Sequence, residues 1–207
     1  MYKKIFFKFF VKPLIFLVTG ISIKGKENIP KDEPYIIIAN HNSHLDILAI
    51  MSMYKSDAVI DVNPVAASDY FFKNKYLKWI SLNLIGIIPI NRKIKRKGTA
   101  HPLDEVYKKI EEKKTLIIFP EGSRGEPEEL QKFKNGIGHI AKKYPNLKIL
   151  PVVLENAGKA LPKNEALFVP LIIKLEVKKA FTFNDLDLDT KDFVKKLEEN
   201  FKKEENE

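Results

Sequence analysis

The chain has 207 residues, enough for one compact domain or little more, and its 44% apolar and 30% charged content is that of a globular protein rather than a disordered one. Lys and Arg number 36 against 27 Asp and Glu, a formal net charge of +9, so anionic surfaces attract it. With no Cys and only His41, His44, His101 and His139, a disulfide framework, a Cys–zinc site and a thiol nucleophile are excluded, and a histidine-rich metal site has little material.

Residues 1–22 are apolar, but Lys8, Lys12 and Pro13 interrupt them too often for a spanning helix, which needs about 20 mostly apolar residues. A secretory signal would carry two lysines in its apolar core, and no small-residue cleavage site follows. Lys4, Lys8 and Lys12 fall one helical turn apart, with Ile5, Phe6, Phe9 and Phe10 opposite. This spacing predicts an amphipathic helix lying in a membrane interface, its lysines at anionic phospholipid head groups, with Leu14–Val18 dipping deeper after a kink at Pro13. The protein is then peripheral or monotopic, on the cytoplasmic face. The alternative is a helix that packs on its own domain.

Residues 23–207 read as one domain. Strands are predicted at Tyr35–Ala39, Ala58–Val62, Ile85–Ile90, Thr115–Phe119, Lys148–Leu154 and Leu167–Val177. Helices are predicted between and after them at Ser43–Met53, Asp69–Leu82, Pro102–Glu112, Asn135–Tyr144 and Lys191–Phe201, before a charged tail. Such alternation implies an α/β domain whose sheet is buried on both faces.

Three strands run directly into polar clusters: YIIIA into Asn40–Asp46, GIIPI into Asn91-Arg92, and LIIF into Pro120–Gly125. Ligands of open α/β sheets gather beyond the carboxyl ends of strands, so parallel strands would bring these clusters to one edge. His41 can take a proton from an alcohol, and Asp46, in the first turn of the next helix, can hold its other nitrogen. Ser43 to Asp46 also fits a capping box, and both readings can hold at once. H-x-x-H-x-D lacks the remaining ligands of a catalytic zinc, and Ser43 has no room for a triad with His44 and Asp46. His44 should point one helical step away from His41. Arg92 and Arg124 can grip a phosphate bidentately, although Arg124 with Glu121 could equally be a surface pair. Lys93, Lys95, Arg96 and Lys97 lack the interleaved aromatics of a nucleic-acid site and suit membrane phosphate or an acidic acyl donor, or a plain solvated loop.

The residues resemble the glycerolipid acyltransferase family, best known for its 1-acyl-glycerol-3-phosphate (lysophosphatidate) acyltransferases with their H-x4-D motif. Four of its blocks occur in order: NHNSHLD (Asn40–Asp46), GIIPINR (Gly86–Arg92), FPEGSR (Phe119–Arg124) followed by FKNG, and ILPVVL around Pro151. The resemblance implies a single mixed, largely parallel sheet flanked by helices, of the glycerol-3-phosphate acyltransferase type. It implies His41 as general base and Asp46 as its partner. Arg92, Glu121, Gly122, Ser123 and Arg124 would hold the acceptor's phosphate and glycerol, with Lys134 a weaker addition. The acyl group would pass from acyl-CoA or acyl carrier protein to a lysophospholipid hydroxyl, with no metal or bound cofactor and no nucleic-acid partner. Pro89 and Asn91 depart from the family's common aromatic and acidic residues, which leaves the acceptor head group open. Tyr70, Phe71, Phe72, Leu77, Trp79, Ile80 and Leu82 could line an acyl tunnel or be core. A hydrolase using the same His–Asp pair, or a non-catalytic membrane-binding protein, are the readings from other classes.

Overall fold

The computed structural model describes residues 2–31, 33–71, 74–91, 101–162 and 167–202. Seven strands form one sheet: β1 (Ile21–Lys24), β2 (Tyr35–Ala39), β3 (Val62–Ala67), β4 (Ile88–Ile90), β5 (Thr115–Ile118), β6 (Lys148–Glu155) and β7 (Ile173–Val177), in the order β1-β7-β6-β2-β5-β3-β4. All neighbours pair in parallel except β6 with β7. The sheet is therefore mixed and largely parallel, as expected.

β2 explains the layering. Ile37 faces one apolar cluster and Ile36 and Ile38 the other, so successive residues feed opposite faces and the strand is buried throughout. Against the first face pack α1 (residues 2–18) and α2 (Leu45–Ser52), through side chains such as Phe7, Val11, Ile15 and Met51. Against the second pack α5 (Asp104–Glu111), α6 (Gly136–Lys143) and α8 (Thr190–Glu199), through Val106, Ile137, Phe193 and Leu197. Each fully buried Ile or Phe contributes about 1.5–3 kcal/mol of burial. α8 opens on Asp189, whose carboxylate accepts the Lys191 and Asp192 N–H groups. The remaining short helices are α3 (Ser68–Phe71), α4 (Lys75–Ile80, continued by a π turn Ser81–Ile85) and α7 (Ala157–Ala160).

Several boundaries shift. β1 starts at Ile21, before the expected domain start at 23, and pairs with β7, so the sheet takes in residues on both sides of that boundary. The strand placed at Ala58–Val62 is a 3-10 turn, Ala58–Asp61, leading into β3, and the long strand expected at Leu167–Val177 shortens to Ile173–Val177. The segment 85–90 divides between the end of a π turn and a three-residue strand.

The N-terminal helix divides differently from the lysine-based reading. Its buried stripe is Lys3, Phe7, Val11 and Ile15, which packs on the domain, while Phe9, Phe10, Leu14, Phe16 and Leu17 are exposed. One stripe is thus core, as the packing alternative has it, and another is an exposed apolar face. It runs as Tyr2–Phe6, a π turn Phe7–Val11 and Lys12–Val18. The wide turn, closed by the Lys12 N–H on the Phe7 carbonyl, stands where Pro13 would otherwise crowd the preceding turn.

Lys3 anchors this helix. Its ammonium donates to the Val62 carbonyl at 2.6 Å and to Ile60 at 3.3 Å, at the start of β3. Burial pushes its pKa down to about 8, with Asp61 opposing the shift. The unfolded chain therefore binds more protons than the folded one between about pH 8 and 10.5, and Lys3 adds stability as pH rises through that window. Expressed as wild type minus Lys3→Met, the unfolding free energy should grow with pH between those limits, by on the order of 3 kcal/mol. Urea titrations at pH 7.5, 9 and 10.5 measure it; a difference that stays flat contradicts the buried-ammonium account.

Candidate active site

The carboxyl ends of β2, β4 and β5 meet at one edge of the sheet, as their parallel pairing requires. β2 ends at Ala39, and the Asn40 side chain then imitates one more rung of the ladder. Its amide donates to the Leu154 carbonyl at 2.9 Å and its oxygen accepts the Leu154 N–H at 2.8 Å. The chain can thus leave the sheet without orphaning the β6 backbone.

The next turn is built around one carboxylate oxygen. Asp46 Oδ2 accepts the Asn42 N–H, the Ser43 N–H and His41 Nδ1–H, each at 2.8 Å, in a residue only 1% exposed. The Ser43 bond is the return half of the expected capping box, while Ser43 Oγ accepts the Leu45 N–H instead of the one further on. Capping and imidazole orientation are therefore one arrangement. With Nδ1 as donor, His41 Nε2 carries the lone pair. The ring stacks on Phe119, centroids 4.0 Å apart and planes 20° from parallel, which fixes its tilt. Ser43 is fully buried, and its hydroxyl donates to the Leu161 carbonyl at 2.8 Å, so it is not presented as a nucleophile.

The loop after β5 clamps the His41 peptide from both sides. Glu121 Oε1 accepts the His41 N–H at 2.7 Å, and the Gly125 N–H donates to the His41 carbonyl at 2.8 Å. The second oxygen of Glu121 accepts the Gln131 N–H at 3.1 Å. Glu121 is 1% exposed, and burial outweighs these two bonds and pushes its pKa up to about 7, with the Asp46 charge acting in the same direction. The Glu121–Arg124 surface pair considered from sequence is not how this carboxylate is used.

A cavity of about 620 Å³ opens beside the imidazole. Its polar end carries His41, His44, Gly122, Ser123 and Arg124, and its apolar walls come mainly from α2, the end of β3 and the stretch from α4 to β4. Gly122 has φ +75°, and a Cβ there would meet the Lys134 ammonium at 2.6 Å, so Lys134 lies across this glycine. His44 faces the same cavity rather than pointing a helical step away, because it precedes the first full turn of α2. Burial, then the charges of Arg124 and His41, lower its pKa, so it is uncharged at neutral pH.

Of the residues expected here, His41, Gly122, Ser123 and Arg124 share the cavity, Asp46 and Glu121 stand behind it, and Lys134 covers Gly122. Arg92 lies outside the described residues, as do Phe72 and the side chains of Tyr70 and Phe71. Of the remaining tunnel candidates Leu77 lines the cavity, whereas Trp79 and Ile80 are exposed and, with Leu82, are not among its lining residues. The sequence reading missed the walls supplied by Ile47, Leu48, Ala66, Ala67 and Ile87, and missed Phe119 as the ring under His41. The two small alanines at the end of β3, directly before α3, were the available signal.

Residues 20–155 match the protein family described as Acyltransferase. A chloroplastic 1-acyl-sn-glycerol-3-phosphate acyltransferase of Arabidopsis thaliana is 29% identical over 143 residues, covering 69% of this chain and 38% of that protein. The 1-acyl-sn-glycerol-3-phosphate acyltransferase alpha of Mus musculus is 28% identical over 150 residues, with 72% and 50% covered. The 1-acyl-sn-glycerol-3-phosphate acyltransferase of Saccharomyces cerevisiae is 32% identical over 147 residues, with 69% and 46% covered. The chain thus spans half or less of the length of these relatives. The crystal structure of the 1-acyl-sn-glycerophosphate (LPA) acyltransferase PlsC from Thermotoga maritima superposes with a TM-score of 0.72 at 24% identity, covering 97% of this chain and 80% of that one, which shows a shared fold.

The geometry makes Asp46 structural as well as chemical. Asp46→Ala strips the acceptor from two buried backbone N–H groups at once, and each unsatisfied group costs about 1–3 kcal/mol. Asp46→Ala should therefore lower the unfolding free energy by about 2–5 kcal/mol, while His41→Ala, which leaves those bonds intact, should cost far less. Denaturant midpoints of the two variants measure the contrast; equal losses would show that the turn does not depend on this carboxylate.

Proposed function

The chain belongs to the acyltransferase family, and from that premise we propose that it moves a fatty acyl group from a thioester to the free hydroxyl of 1-acyl-glycerol 3-phosphate, giving phosphatidate. The observation that carries the reading is the His41–Asp46 pair, 2.8 Å apart, at the polar end of an apolar cavity of about 620 Å³ whose rim holds Arg124. A long acyl chain suits the apolar walls. A phosphate monoester suits the guanidinium of Arg124 and the Lys134 ammonium, and Arg92 is the further contact that the family motif implies. The named activity of the relatives points the same way.

The reaction follows from the orientation of the ring. His41 Nε2 takes the proton of the acceptor hydroxyl while Asp46 holds Nδ1–H and balances the imidazolium. The hydroxyl oxygen bonds to the thioester carbonyl carbon, a tetrahedral oxyanion forms, and the carbon–sulfur bond breaks. The departing sulfur of coenzyme A or acyl carrier protein takes the proton back from Nε2, which restores the neutral ring. Glu121 and Gly125 hold the His41 backbone still during the exchange, and Glu121 acts on substrate through that position. Donor and acceptor react in one ternary complex. The exposed apolar face of α1, flanked by lysines, seats the protein on anionic phospholipid at the cytoplasmic face of the membrane.

Initial-rate plots with acyl-CoA or acyl carrier protein and lysophosphatidate should intersect, and mass spectrometry with donor alone should show no acylated protein. His41→Ala should lower kcat by about 10²–10⁴-fold. Arg124→Ala should lower kcat/KM for the acceptor by roughly 10- to 150-fold, the loss of one charge-assisted contact, with donor saturation little changed. Fatty acid release without acceptor at the rate of transfer, or an acyl adduct on Ser43, would overturn the assignment.

A further inference from the structure

α4 carries exposed apolar side chains. Tyr76 is 68% and Trp79 52% exposed, and Leu77 and Ile80 are also open to solvent, so the apolar side chains of KYLKWI lack the cover a core helix would have. Its sequence alternates these side chains with Lys75 and Lys78, and Lys75 Nζ sits 5.1 Å from the centroid of the Tyr76 ring. α1 repeats the device: Lys8 Nζ lies 5.1 Å from the centroid of the exposed Phe9 ring. Lysine over an outward aromatic places charge and ring at one depth, as an interfacial helix needs.

The two faces are mechanically joined. The first piece of α1 packs on the Ser81–Ile85 turn that continues α4. Lys3 of α1 and Asn63 of β3 both close on Gly86 directly after that turn, Asn63 donating to the Gly86 carbonyl at 2.7 Å, and Gly86 has φ +78° with no space for a Cβ. From the inner side, Leu77, Ser81 and Ile85 line the cavity that holds His41. Among the described residues, α4 and its turn thus carry cavity-lining side chains on one side and exposed aromatic side chains on the other.

We propose that α4 is a second membrane-contacting segment, seated in the same anionic bilayer as α1, so that the apolar cavity opens toward the hydrocarbon through the α4 wall. This rests on the membrane reading of α1 given above and adds to it a named segment and a direction of lipid access. The occupant is a lipid surface rather than a protein because the apolar residues are interleaved with lysines on both helices and the chain carries +9. An interface between protein copies would have a core depleted of such charges.

Trp79 is the only tryptophan in the chain, so its emission reports α4 alone. The full-length protein is mixed with vesicles of phosphatidylcholine containing phosphatidylglycerol, with and without brominated acyl chains, and pelleting is followed in parallel. The expected result is pelleting together with a shift of the emission to shorter wavelength and quenching by the brominated chains. Tyr76→Ser/Ile80→Ser, which keeps the probe, should weaken vesicle binding by about tenfold or more, since an exposed apolar side chain gains roughly 1.5 kcal/mol or more on burial and about 1.4 kcal/mol is tenfold. Pelleting with unchanged Trp79 emission overturns the role of α4 and leaves that of α1 standing. Absence of pelleting overturns both. Short-wavelength emission already in buffer, with a dimeric mass by sedimentation, assigns the face to a second copy of the chain and overturns the proposal.

Discussion

The site hangs on one buried oxygen. Asp46 Oδ2 gathers two backbone N–H groups and one imidazole N–H, and with them closes the turn after β2, starts α2 and aims His41. A carboxylate taken out of water is costly unless it is hydrogen-bonded, and with Oδ1 buried without a partner Asp46 relies on the three bonds at Oδ2. That dependence is useful. The two backbone N–H groups fix the carboxylate in the turn, and the carboxylate so fixed holds the ring through Nδ1–H. The second clamp, Glu121 and Gly125 on the His41 peptide, ties this turn to the loop after β5. The His41 imidazole and the loop carrying Gly122, Ser123 and Arg124 are thereby held in register by backbone bonds.

Much of this was legible because it is local. Strand exits into NHNSHLD and FPEGSR follow apolar runs of β-branched residues, and the parallel sheet alone then brings the exits together. The His–Asp pairing is five residues apart across one turn, within reach of spacing arguments. The role of Glu121 was not legible, because its partner His41 lies 80 positions away and a carboxylate after a strand reads equally well as a ligand. β1 was missed for a related reason: ISIK is four residues at an edge, and its evidence is the β7 backbone it pairs with.

The N-terminal helix shows how periodicity can mislead when a helix has two apolar stripes. Lys4, Lys8 and Lys12 marked a basic face, yet Lys3, adjacent to it, is buried on the core side, and Phe7 rather than the neighbouring Phe9 and Phe10 enters the core. Charge was a poor guide here because a lysine can lay its stem along apolar surface and spend its ammonium on backbone carbonyls, as Lys3 does on Ile60 and Val62. The tunnel candidates divide for a related reason. The bulky residues of α4 could be read as lining or as core; Leu77 does line the cavity, but much of the wall is made where side chains are small, as at Ala66 and Ala67, while Trp79 is exposed.

These observations combine into a constraint on how lipid chemistry can be done by a small basic domain. His41 and its neighbours sit at the end of a largely parallel sheet, where backbone hydrogen bonds hold them. Under the proposed function an acyl chain must nonetheless reach them, and a fully packed shell would deny it a path. The shell is thin on one side: α4 is six residues long, continues into the turn that packs on α1, and has Leu77 on the cavity while Tyr76 and Trp79 are exposed. In water such a wall leaves aromatic surface uncovered, which costs stability. Against a bilayer the same surface is solvated by hydrocarbon and head groups, so the region that is weakest in solution becomes the region best matched to the substrate's own environment.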